Sequence, residues 1–93
     1  MKCKQTNEAA LFLIKENVAS GDQNAFRQLF NLYSKKLILF AASLVKSQDA
    51  AREIVDEVFI KIWRNRTSIS NIQNLTVYLY TATKNTSLNY LST

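Results

Sequence analysis

Glu53, Asp56 and Glu57 are the residues of this 93-residue chain whose type and spacing point most directly to chemistry. They stand at i, i+3 and i+4, so a helix puts all of them on one face. Clustered carboxylates hold a cation, move protons, or accept charge-assisted hydrogen bonds from arginines on a partner. A cation site wants oxygen ligands converging from several elements, whereas these carboxylates project from one. Nucleophilic or acid–base catalysis wants further groups. The chain has no histidine, a single cysteine at Cys3 and no glycine-rich phosphate loop. It reads as a binding protein rather than an enzyme, with no cofactor and no metal.

After Glu57 the chain has no further acid. Residues 1–57 carry eight Lys/Arg against seven Asp/Glu, while residues 58–93 carry Lys61, Arg64, Arg66 and Lys84. The net charge of +5 points to an anionic partner, and its cationic excess lies in the second half. Amides and hydroxyls accompany it: Ser70, Asn71, Asn74, Thr81, Asn85, Thr86 and Asn89. Asn85 stands out among these amides. It stands mid-helix, where asparagine has poor propensity, so it is the polar residue most in need of a function. Capping and solvation account for about half of the other small polar residues.

The elements that must carry these residues are helical. Proline is absent and glycine occurs once, at Gly21, which disfavours hairpins and sheets. The first helix is predicted over about 7–19, with Leu11, Ile14 and Val18 as its stripe and Phe12 adjoining. Ser20-Gly21-Asp22 ends it and N-caps the next. The second runs over about 23–45, with Phe26, Leu29, Phe30, Tyr33, Leu37, Phe40, Ala41 and Leu44 at helical spacing. Ser47 caps a third helix over about 48–65. Ala51, Ile54, Val55, Val58 and Ile62 face its core, joined by at least one of Phe59 and Trp63. Residues 67–73 read as a polar loop with two isolated isoleucines. A fourth helix over about 74–91 buries Leu75, Leu79, Ala82, Leu88 and Leu91, with Tyr78 partly included. The fold class is all-α: one domain, a compact bundle of about four helices. The apolar run near 37–45 is too short to span a bilayer, and the N-terminus lacks the pattern of a signal peptide, so the expected location is cytoplasmic.

Three stretches resemble region 2 of bacterial sigma-70-family factors of the extracytoplasmic-function (ECF) group: SGDQNAFRQLFNLYSKKL, AAREIVDEVFIKIW and YLYTATKNTSLNYL. The resemblance spans about residues 18–91. It implies that 1–93 form a single region 2 domain of a transcription initiation factor, without the family's C-terminal region 4 domain that reads the −35 element. It implies that Glu53, Asp56 and Glu57, with Phe59 and Trp63 nearby, dock on the β′ clamp helices of core RNA polymerase. It also implies that the fourth helix and the loop before it recognise and help melt the promoter −10 element on its non-template strand. Ser70, Asn71 and Asn74 then form a base-capturing pocket, Thr81, Asn85, Thr86 and Asn89 face bases, and Arg64, Arg66 and Lys84 meet phosphates. An anti-sigma factor is a further implied partner, though no residue here identifies one. The chain departs from the family pattern at its end, where Leu91-Ser92-Thr93 replaces a trailing run of arginines.

Other readings remain open on the residues alone. A helical protein-interaction module would use the acidic face and never meet nucleic acid. A helix-turn-helix on duplex DNA would want a shorter turn before the last helix and more charge along it.

Overall fold

The computed structural model describes residues 8–92; Cys3 and the expected first residue of the first helix, Asn7, lie outside them. The elements are α1 (Glu8–Ala19), α2 (Gln23–Val45), α3 (Gln48–Arg64), a 3-10 helix (Arg66–Asn71) and α4 (Leu75–Ser92). The described residues contain no strand. Helix α2 is the spine: α1, α3 and α4 all pack on it, α3 and α4 also pack on each other, and the 3-10 helix is held between α1 and α3.

Local chemistry marks each helix end. Gly21 takes a φ of +96°, and its N–H donates to Val18 O while that of Asp22 donates to Asn17 O. These paired bonds close a left-handed C-terminal cap that glycine adopts at least cost. Asp22 then accepts from the N–H groups of Asn24 and Ala25, starting α2. Lys46 ends α2 with a φ of 61°, and its N–H donates to Ala42 O. Ser47 caps α3 by accepting from Ala50 N–H at 3.2 Å.

The core is one cluster. Leu29, Leu37 and Ala41 of α2 meet Ala51, Val55, Val58 and Phe59 of α3 and Leu75 and Leu79 of α4. Phe59 is 2% exposed and edge-on to Phe26 (centroids 6.1 Å apart) and Phe30 (5.0 Å). Each such pair adds about 0.5–1.5 kcal/mol beyond area burial. Between α2 and α4, Phe40 meets Tyr80 edge-on at 5.2 Å, and the Tyr33 and Thr76 hydroxyls share a hydrogen bond of 2.8 Å.

The structure revises several expectations. Phe12 is exposed, because α1 packs through Leu11, Ile14, Lys15 and Val18 and turns Phe12 outward. Residues 66–71 form a 3-10 helix rather than a loop. Its bonds run from Ser68 N to Asn65 O and from Ile72 N to Ile69 O, and Ile69 is driven into the core at 2% exposure. Leu88 and Leu91 are about half exposed. On α4 the face continuing from Leu75 and Leu79 falls at four-residue steps on Thr83 and Ser87, and these are fully buried instead.

The Thr83 and Ser87 hydroxyls have no hydrogen-bond partner among the described residues. A buried hydroxyl without a partner costs about 1–3 kcal/mol, and replacement by an apolar group of the same shape removes that cost. Thr83→Val is therefore expected to stabilise the domain by about 1 kcal/mol, read as a higher urea midpoint at unchanged slope.

Candidate docking and nucleic-acid surfaces

One side of α3 is core and the opposite side is solvent. Ala51, Ile54, Val55, Val58, Phe59 and Ile62 are buried, whereas Glu53, Asp56, Glu57, Ile60 and Arg64 are exposed. The exposed set falls at i, i+3, i+4, i+7 and i+11, a single stripe along the helix. Glu57 pairs with Lys61 at 3.4 Å, an exposed i,i+4 contact that contributes about 0.3–0.5 kcal/mol and holds little back from a partner. Among the described residues, Glu53 and Asp56 form no ion pair.

Of the residues the sequence assigned to this surface, Phe59 does not lie on it. Its ring is enclosed by Phe26 and Phe30, so a partner could reach it only by opening the α2–α3 interface. Trp63 is half-buried, 5.0 Å from Phe26, and lines a groove of about 370 Å³ with Gln23, Arg27 and Phe30. Ile60 is the residue that sequence reasoning missed. It is 51% exposed and stands among the carboxylates. The available signal was its spacing, four residues after Asp56 and three after Glu57, within an otherwise charged stripe.

The second surface lies on the 3-10 helix and α4. Ser70, Asn71, Thr81, Lys84, Asn85 and Asn89 are exposed, as is Arg64 on α3, while Thr86 is half-buried. Thr81, Lys84 and Asn85 share the side of α4 away from the core. Asn74 has a local duty, because its Oδ1 accepts from Val77 N–H at 3.1 Å and caps α4. Arg66 is likewise engaged. Its guanidinium lies 4.5 Å from the Trp63 ring centroid, and its Nη1 donates to Trp63 O at 3.0 Å. It clamps the end of α3 and has less freedom for a phosphate than Arg64 or Lys84.

Two sets that the sequence kept apart come together. Glu53 and Glu57 line a cavity of about 240 Å³ with Thr86, Asn89, Ala50, Ile54 and Tyr90, between α3 and α4. Carboxylates there make a phosphate unwelcome near Thr86 and Asn89. Of the candidate nucleic-acid residues, Asn71, Thr81, Lys84 and Asn85 lie outside the lining of that cavity. Among the described residues no three His, Cys, Asp or Glu side chains gather as a metal site, and no helix is long and apolar enough to cross a membrane.

The described residues thus form an all-helical domain with an acidic stripe on α3 and an exposed side of α4 that bears Thr81, Lys84 and Asn85. The sigma-70 region 2 family matches residues 29–93, and the chain belongs to that family. It is similar to the ECF RNA polymerase sigma-E factors of Escherichia coli K12 and Salmonella typhimurium LT2, each 34% identical over 79 residues. Those alignments cover 85% of this chain and 41% of each relative, so the chain spans about two-fifths of the relatives it matches. No solved structure matches the chain. The family is one of non-catalytic transcription factors.

The two asparagines flanking the turn into α4 separate capping from recognition. Asn74→Ala is expected to cost about 1 kcal/mol in urea unfolding through loss of the cap, whereas Asn71→Ala stays within about 0.5 kcal/mol of the parent.

Proposed function

We propose that this chain is the region 2 domain of an ECF-type transcription initiation factor. It docks on the β′ clamp helices of core RNA polymerase through α3, and it captures the non-template strand of the −10 element through the 3-10 helix and α4. The observation that carries the docking half is the exposed Ile60 set among Glu53, Asp56 and Glu57 on a helix whose opposite side is anchored in the core. A few side chains at the centre of an interface, ringed by contacts that exclude water, carry most of the binding energy. Glu53 and Asp56, which form no ion pair among the described residues, keep their capacity for arginines on a partner helix.

The strand-capture half rests on Asn85, Thr81 and Lys84 sharing one solvent side of α4, and on the exposed Ser70 and Asn71 at the end of the 3-10 helix. Single-stranded bases are read by edge hydrogen bonds and pockets of this kind. Strand opening needs no covalent chemistry. The domain favours the open state by binding the separated strand more tightly than the duplex.

Core polymerase binding by the domain and its variants, measured by titration with the isolated β′ clamp helices, tests the docking half. Asp56→Lys and Ile60→Ala are each expected to weaken binding about tenfold or more with helix content unchanged. Asn85→Ala is expected to leave that binding intact. It should weaken capture of a −10 single strand by the polymerase-bound domain about tenfold. Undiminished clamp-helix binding by Asp56→Lys and Ile60→Ala would remove α3 as the docking element.

A further inference from the structure

Lys15 is a buried cation that neither surface uses. It stands on the inner side of α1 with Leu11, Ile14 and Val18, and it is 9% exposed. Its Nζ donates to the backbone carbonyl of Ile72, a residue 57 positions away in sequence. Burying an ammonium costs desolvation, and ordering a lysine costs more side-chain entropy than ordering an aliphatic residue. An apolar side chain would fill the same space without that cost. What lysine adds is a charge-assisted hydrogen bond to one particular carbonyl.

That carbonyl lies at a junction. Ile72 ends the 3-10 helix, its N–H bonded to Ile69 O, and the backbone turns extended there before Asn74 starts α4. The segment is tied at its start by Arg66 on Trp63 and in its middle by the buried Ile69. Lys15 makes the third tie, at its end. Between the second and third ties lie the exposed Ser70 and Asn71. Helix α1 packs against this segment and lies outside residues 29–93, so the brace comes from a part of the chain that the family match does not reach.

We propose that Lys15 is a positioning residue for strand capture. By holding the Ile72 carbonyl it fixes the backbone that presents Ser70 and Asn71, so α1 governs recognition without touching nucleic acid. The proposal rests on the reading of residues 70–74 and α4 as the strand-binding surface.

The test compares the parent chain with Lys15→Met, which keeps the apolar stem and removes the donor, and with Lys15→Arg, which restores one. Each is bound to core RNA polymerase and titrated with a fluorescent single-stranded oligonucleotide carrying the −10 sequence; amide hydrogen exchange is followed across residues 68–74. Lys15→Met is expected to lose about tenfold in oligonucleotide affinity and to exchange faster across 70–74, while its affinity for the β′ clamp helices is unchanged. Lys15→Arg is expected to recover most of the affinity. If Lys15→Met folds poorly, the same comparison is made in a Thr83→Val background. Parental oligonucleotide binding by folded Lys15→Met would overturn the proposal alone, as would equal losses toward oligonucleotide and clamp helices. A parent complex that ignores the oligonucleotide would overturn both the strand-capture reading and this proposal.

Discussion

The contact of Phe59 with Phe26 and Phe30 decides how α3 is rotated about its axis, and the rest of the molecule depends on that rotation. Adjacent helical residues are about 100° apart, so a slip of one position would turn Glu53 or Asp56 inward and bring Val58 or Ile62 toward solvent. Two T-shaped contacts on one buried ring leave little room for such a slip. With the ring seated, Val55, Val58 and Ile62 join the core, and the stripe from Glu53 through Ile60 to Arg64 is solvated. The proposed docking face is thus the outer side of a buried wedge.

The same wedge organises the next segment of the chain. Trp63, one turn after Phe59, packs on Phe26 and carries the Arg66 guanidinium, so the end of α3 is clamped before the chain turns. Ile69 then plugs the core and forces the short 3-10 path that brings the chain back to α4. A segment of small polar residues is in this way ordered by its few larger ones, and its amides and hydroxyls are presented from a supported backbone.

Polar residues are placed at some expense to stability. The Thr83 and Ser87 hydroxyls are buried without partners among the described residues, and a lysine is buried to hold one carbonyl. Buried polar groups without partners lower stability. In the sequence Thr83 and Ser87 belong to the same polar run as Thr81, Asn85 and Asn89. The run is polar on both sides of α4, and only its outer side is free for a partner. Glu53 and Glu57 facing Thr86 and Asn89 divide that outer side electrostatically, which leaves the Lys84–Asn85 side for an anion.

The sequence by itself determined the helices. Their periodic apolar positions, the Ser20-Gly21-Asp22 turn, the Ser47 cap and the absence of proline are local signals, and α2 and α3 lie where those signals put them. It also determined the family, because the patterned stretches in α2, α3 and α4 are contiguous in the chain. Tertiary structure alone decided which of two neighbouring aromatics is core, that Ile69 makes a helix of an apparent loop, and that Leu88 yields its inward place to Ser87. It alone brought Lys15 to Ile72. The reason is physical. Propensity and capping act within a turn or two of the chain, whereas burial depends on where other helices end and how closely they approach. On α4 the apolar residues are spread around the axis, so only the neighbours could say which side is inside.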